Sequence, residues 1–170
     1  MGLTVLFAVI VVVLMAGAAW KFGHSLFGKS DTTAVSQEIK AIASNVQGHY
    51  AQLGSFAGIT TATEIANGDI ESSYVTGGAV DTSYGGTIVV GGPASLNGGT
   101  DNAFGLTVNN MSQQDCIDLA TTQAAYGINS GTTVGAGVNT ANDPATDAEA
   151  GTICTAANGN ELTFTYTLSD

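Results

Sequence analysis

The segment Met1–Trp20, MGLTVLFAVIVVVLMAGAAW, carries no charged side chain, whereas Asp31–Gly54, DTTAVSQEIKAIASNVQGHYAQLG, carries Asp31, Glu38 and Lys40. As a helix the first segment is about 30 Å long, the thickness of a hydrocarbon core. In the second, Val35, Ile39, Ile42, Val46, Tyr50 and Leu53 recur at intervals of 4, 3, 4, 4 and 3. That spacing predicts one apolar stripe of an amphipathic helix, packed on whatever follows it. Gln37, Glu38, Lys40, Ser44, Gln47 and Gln52 fall largely on the opposite face. An all-round apolar helix thus leads into a one-sided one, about 80 Å in all if helical from Gly2 to Leu53. Gly23, Gly28 and Ser30-Asp31-Thr32 predict a kink or local unwinding between the halves. Gly54 is the expected C-cap.

Three readings fit the apolar segment. A secretory signal peptide is suggested by the small residues Ala16-Gly17-Ala18-Ala19, but a positive n-region is missing and the run exceeds the usual apolar core of about 7–15 residues. A permanent anchor places Lys21 and Lys29 on its C-terminal side, which by the positive-inside rule holds the rest of the chain in the cytoplasm. A packing helix of an assembly is the third reading. The charge conflict disappears if a basic leader preceded Met1 and was removed, and this is the expectation. Trp20, beside Lys21, stands where a membrane-interface anchor belongs.

The chain of 170 residues suits one domain beyond this segment. Residues 31–170 hold one base, Lys40, against all 14 acidic residues, a formal charge of −13, and the two earlier lysines bring the total to −11. No arginine occurs. Such a surface excludes nucleic acid as a partner, since phosphates need clustered Lys and Arg, and excludes docking on anionic lipid through a basic patch. Cys116 and Cys154 are the only cysteines. Metal clusters bring ligands in closely spaced pairs, which are lacking. An even pair beyond a membrane span reads as one disulfide in an oxidising compartment, with two free buried thiols as the alternative.

Past Gly54, stretches rich in Gly, Asn, Asp and Thr alternate with short strand candidates. Thr87-Ile88-Val89-Val90 and Phe104-Gly105-Leu106-Thr107-Val108 predict a hairpin, with turns at Gly91-Gly92-Pro93 and Asn97-Gly98-Gly99. Ser112-Gln113-Gln114-Asp115 predicts a helix start, the helix carrying Cys116, Ile117 and Ala120 and ending near Thr122. Residues 127–150 read as a long loop with one strand near Thr132-Thr133-Val134. Leu162–Leu168 alternates apolar residues with Thr, predicting a strand with one buried and one solvated face. The fold class is α+β: a long N-terminal helix packed on an antiparallel sheet. Its parts are an apolar helix over 1–30, an amphipathic helix over 31–54 and a globular head over 55–170.

Candidate sites are few. His24 and His49, the only histidines, lie about 37 Å apart along a continuous helix and form no catalytic pair. Asp143–Glu149 has oxygen ligands but neither the spacing nor the central Gly of an EF-hand. Asn110-Met111-Ser112 matches a glycosylation sequon, a weak signal. The Gly-rich runs contain no phosphate-binding motif. No catalytic residue, metal or cofactor is expected.

Four stretches share an order along the chain: Val46-Gln47-Gly48-His49-Tyr50 with Gly54-Ser55-Phe56, Asp101-Asn102-Ala103-Phe104-Gly105-Leu106-Thr107, Asp115-Cys116-Ile117-Asp118-Leu119-Ala120-Thr121, and Ala148-Glu149-Ala150-Gly151-Thr152-Ile153-Cys154. With the uncharged opening run, they resemble the type IVb pilins, most closely the bundle-forming and conjugative thin-pilus subunits. The resemblance implies the type IV pilin fold, a Cys116–Cys154 disulfide, a leader removed before Met1 and an N-methylated Met1. It implies a major subunit that polymerises with copies of itself through Leu3, Val5, Leu6, Phe7, Val9, Ile10, Val13 and Leu14. It further implies that the subunit waits in the inner membrane, is handled by a prepilin peptidase and pilus assembly machinery, and serves adhesion, aggregation or conjugative contact as an extracellular filament. The family normally has glutamate at the position of Val5, and residues 1–30 contain no acid. The alternative is a membrane-anchored extracellular binding module acting as a monomer.

Overall fold

The computed structural model describes residues 31–138 and 142–168. The expectations for Met1, for the packing residues Leu3 to Leu14 and for His24 lie outside the described residues. Among the described residues, no helix is long and apolar enough to cross a membrane.

Helix α1 spans residues 31–51. Its stripe is buried as the spacing demands: Val35, Ile39, Ile42, Val46 and Tyr50 are each 5% exposed or less. The helix ends where Gly54 adopts φ 72 and donates its N–H to the Tyr50 carbonyl at 2.9 Å. Leu53 lies in that closing turn, beyond the last helical residue, and is 64% exposed. Its expected packing on the head is therefore wrong, because the helical period stops two residues earlier. Glu38, expected on the solvated face, is buried. It stands three residues after Val35 and four before Ile42, the spacing that shares a helix face.

Six antiparallel strands follow: β1 Val75–Thr76, β2 Ala79–Asp81, β3 Thr87–Ala94, β4 Ala103–Met111, β5 Gly127–Ser130 and β6 Asn160–Thr167, in the order β1-β2-β3-β4-β6-β5. Gly77 and Gly78, at φ 61 and 88, supply the two left-handed positions of the β1–β2 hairpin loop. The predicted β3–β4 hairpin is present, with Ile88 opposite Val108 and Val90 opposite Leu106. Gly91-Gly92-Pro93 is not a turn. It continues β3 through a register shift between Gly91 and Ala94, where a proline costs no ladder bond. The last strand inserts between β4 and β5, pairing Leu106 with Phe164 and Ile128 with Phe164 on its two sides. The inner face (Ile88, Val90, Phe104, Leu106, Val108, Leu162, Phe164) forms one core with the α1 stripe.

Among the described residues, three short α-helices and a 3-10 turn at Ser72–Tyr74 complete the head, the α-helices being α2 Thr61–Asn67, α3 Gln113–Ala120 and α4 Asp147–Ile153. Ser112 caps α3 through the Asp115 N–H, as predicted. Thr146 and Glu149 form a capping box on α4, so the acidic run at Asp143–Glu149 starts a helix. Cys116 on α3 and Cys154 at the end of α4 form a buried disulfide, Cα–Cα 5.8 Å. A loop of that length contributes about 3–4 kcal/mol in the chain-entropy picture.

The stretch 127–150 departs from expectation. Its strand is β5 at Gly127–Ser130, and residues 132–134 are not strand. Residues 131–138 instead cover the outer face of β6. The Gly135 N–H donates to Thr165 Oγ1 at 2.9 Å, Thr163 Oγ1 donates to the Gly131 carbonyl, and Thr163 meets Thr107 across the strands at 2.7 Å. Thr163 and Thr165 are thus fully buried, and β6 has no solvated face. The cover fits only because it crosses glycines. A Cβ on Gly105 would stand 2.6 Å from Val134 Cγ2, and one on Gly127 would meet the backbone of Gly135 and Gly137.

Gly127→Ala should therefore destabilise the head by at least about 2 kcal/mol, since backbone cannot move aside as a side chain does. Gly151→Ala, in α4 with nothing within 4 Å of the added methyl, should stabilise it by about 0.5–1 kcal/mol. Urea unfolding of both variants checks the pair, and equal effects would contradict the covering-loop geometry.

Candidate functional site

Two surfaces of α1 concentrate the head's unusual chemistry. Along its inner edge, Ser36 Oγ donates to Gln123 Oε1 at 3.0 Å, Gln123 Nε2 donates to the Tyr166 hydroxyl at 2.7 Å, and Gln47 Nε2 donates to the Thr167 carbonyl at 2.8 Å. These bonds fix the helix rotation relative to β6, so burial of the stripe and of Glu38 follows from one orientation. Glu38 has one carboxylate oxygen without a hydrogen-bond partner. Burial, and then the nearby Asp81 charge, pushes its pKa up to about 7.

At the helix end, α1 brings His49 and Tyr50 to α2 and the loop after it. His49 Nδ1 lies 2.6 Å from Asp69 Oδ2, and Asn45 Nδ2 donates to the Asp69 carbonyl at 3.0 Å. The Tyr50 hydroxyl donates to Glu64 Oε1 at 2.9 Å, and Thr63 Oγ1 donates to the same oxygen at 3.0 Å. Glu64 is completely buried and its Oε2 has no partner. Ligand-type atoms of His49, Glu64 and Asp69 all lie within 4.8 Å of one another. Hydrogen bonding to Asp69 raises the His49 pKa above its ordinary value, and burial raises that of Glu64. From Tyr50 an aromatic run continues through Phe56 and Phe104 to Tyr166, with centroid spacings of 5.4, 4.6 and 5.6 Å. The cluster therefore stands at one end of the core.

The structure places Cys116 and Cys154 together and five of the six predicted helix–head residues in the core, but not Leu53. It also brings His49 into a cluster that sequence reading missed. Its partners lie 15 and 20 positions away, in a region read as loop. The available signal was Thr60 and Thr63 just ahead of Glu64, a helix cap with an acid in the first turn. Two surface depressions, of about 270 and 250 Å³, are lined by Thr32, Thr33, Asp118, Thr121 and Thr122 and by Gln47, Ala124, Ala125, Asn142 and Tyr166. Both fall below the usual size of small-molecule sites, about 300–1,000 Å³.

A carboxyl whose folded pKa stands above its unfolded value binds its proton more tightly in the fold. The Glu38 contribution is accordingly complete below pH 4.5 and is lost as pH rises through about 7. Glu38→Gln should match the parent near pH 4 and exceed its stability by about 1–2 kcal/mol near pH 8, a margin reduced by water reaching part of the carboxyl. Urea midpoints at both pH values check this, and a margin that does not widen with pH would contradict it.

The PilS N-terminal family profile matches residues 29–167. A type IVb pilin from Salmonella typhi is similar in structure, with TM-score 0.56 and 24% identity, over 82% of this chain and 99% of that one. TcpA, a type IV pilin from the Vibrio cholerae El Tor biotype, is similar with TM-score 0.58 and 17% identity, over 81% of this chain and 99% of that one. A comparison with curated proteins yields no match. With the family profile over most of its length and with the helix-on-sheet head of these structures, the chain belongs to the PilS N-terminal family and has the type IVb pilin fold.

Proposed function

We propose that this chain is the structural, non-enzymatic subunit of an extracellular type IVb-like pilus. Copies pack through Leu3, Val5, Leu6, Phe7, Val9, Ile10, Val13 and Leu14. The observation that carries the reading is the complete burial of the α1 stripe within its own head. The head is thereby a finished unit that needs no partner for its inner helix face. The uncharged residues 1–20 form a second apolar run in the sequence, separate from that stripe. Such a segment is stable in lipid or against copies of itself. In lipid it holds the subunit in the inner membrane, where a prepilin peptidase and the assembly machinery act on it. Against copies of itself, head-to-tail packing that does not close produces a fibre. The heads then form the outer surface for adhesion, aggregation or conjugative contact.

Val9→Lys should abolish filaments while leaving the head folded, because a charge buried in an apolar bundle costs several kcal/mol. Electron microscopy of material sheared from expressing cells reads the filaments. Intact mass, lower by two hydrogens, reports the disulfide, and circular dichroism of the purified variant reports the folded head. Filaments unchanged by Val9→Lys would overturn the packing assignment. Wild-type protein found only as a detergent-soluble monomer would favour an anchored binding module instead.

A further inference from the structure

We propose that His49, Glu64 and Asp69 form a binding site for one divalent transition cation of the zinc type, joining the end of α1 to α2 and its following loop. The three side chains come from separate segments and converge with ligand-type atoms within 4.8 Å. Glu64 supplies the observation that exposed acid clusters lack. It is completely buried, its Oε1 is occupied by Tyr50 and Thr63, and its Oε2 has no partner. Two carboxylates brought this close, one of them without water, repel each other unless a proton or a cation stands between them. Lys40, the only lysine or arginine among the described residues, forms no ion pair with either acid.

The donor set selects the metal class. One imidazole nitrogen with two carboxylate oxygens suits zinc and its first-row neighbours, whereas calcium and magnesium prefer all-oxygen shells. In a tetrahedral zinc site, ligands about 2.0–2.1 Å from the ion stand about 3.3 Å apart. His49 and Asp69, 2.6 Å apart, would open by a fraction of an ångström on binding, and no pair of ligand atoms in the triad is more than 4.8 Å apart. His49 is partly exposed, at 38% of its side chain, so an ion would enter from its side. Tyr50 and Thr63 hold the first Glu64 oxygen, and Asn45 holds the Asp69 backbone, an outer set that orients the ligands. Bound metal would clamp the helix end to the loop leading into β1. This site does not depend on filament formation.

The test titrates Zn²⁺ alone into the metal-free full-length chain in detergent, by calorimetry. The expected result is saturable binding of one ion per chain. It should weaken by about tenfold or more in His49→Gln and in Asp69→Asn, and remain unchanged in the distant Asp147→Asn. His49 is partly exposed and Asp69 less so, at 38% and 14% of their side chains, and near-ultraviolet circular dichroism checks that the head is folded in each variant. X-ray absorption at the zinc edge of the loaded wild type gives a reading that needs no variant, one imidazole in an otherwise oxygen shell. Absence of saturable binding, equal binding by all three variants, or a shell of oxygen only would each overturn the proposal.

Discussion

The head depends on one helix face. Val35, Ile39, Ile42 and Val46 are essentially without exposure, and each contributes about 1.5–3 kcal/mol relative to a solvated side chain. Set against a domain stability of about 5–15 kcal/mol, this stripe is not dispensable. Without α1, the inner face of β3, β4 and β6 would stand open to water. The stripe runs from Val35 to Tyr50, about 22 Å at the helical rise, close to the length of an eight-residue strand. Strand order follows the same need, since β6, buried at all but one of its positions, sits between β4 and β5.

A helix pressed so fully onto a sheet cannot keep all its polar residues in water. Helical geometry puts Ser36 and Glu38 at the edges of the stripe. Ser36 finds Gln123, but one Glu38 oxygen finds nothing, and the acid answers by holding its proton to near-neutral pH. The same constraint operates at the helix end. Tyr50 must be buried to complete the aromatic run, and its hydroxyl then requires an acceptor, which Glu64 provides. Glu64 is in turn left with an unmatched oxygen beside Asp69. The buried acids are thus consequences of packing, and the chemistry at the end of α1 rests on the stripe that closes the core.

Much of this was legible in the sequence, for reasons that differ by element. The α1 stripe, the Ser112 cap, the β3–β4 hairpin, the last strand and the Cys116–Cys154 bridge rest on local periodicity, on cap chemistry or on a residue pair with no other partner. Failures came where a distant segment decides. Thr163 and Thr165 read as a solvated face because alternation reports polarity. Their burial comes from residues 131–138 crossing the sheet, a cover allowed by Gly105 and Gly127. Leu53 fits the period but stands past the helix end, which Gly54 sets. Gly91-Gly92-Pro93 carries turn residues yet continues a strand through a bulge, where a missing N–H is tolerated. His49, Glu64 and Asp69 share no motif. Their meeting requires α2, and seven residues with a threonine cap give too little period to read.

Charge sets the terms on which such heads can meet. The formal −11 counts every acid as ionised. Near neutral pH Glu38 retains part of its proton, so the folded chain carries less negative charge than the count. Even so, residues 31–170 offer only Lys40 as a lysine or arginine, and their other base, His49, already faces Asp69 of its own head, so neighbouring heads cannot be joined by a set of opposite charges. At physiological ionic strength the screening length is about 8 Å, so acids on separate heads repel strongly only where surfaces touch. In the proposed filament, contacts between heads must therefore fall on the uncharged Gly, Ser, Thr and Asn surface, with the acids turned to solvent. The attraction that holds copies together must then come from the apolar segment, which carries no charge to be screened. Salt should weaken the repulsion and leave the attraction intact, the reverse of an assembly built on salt bridges.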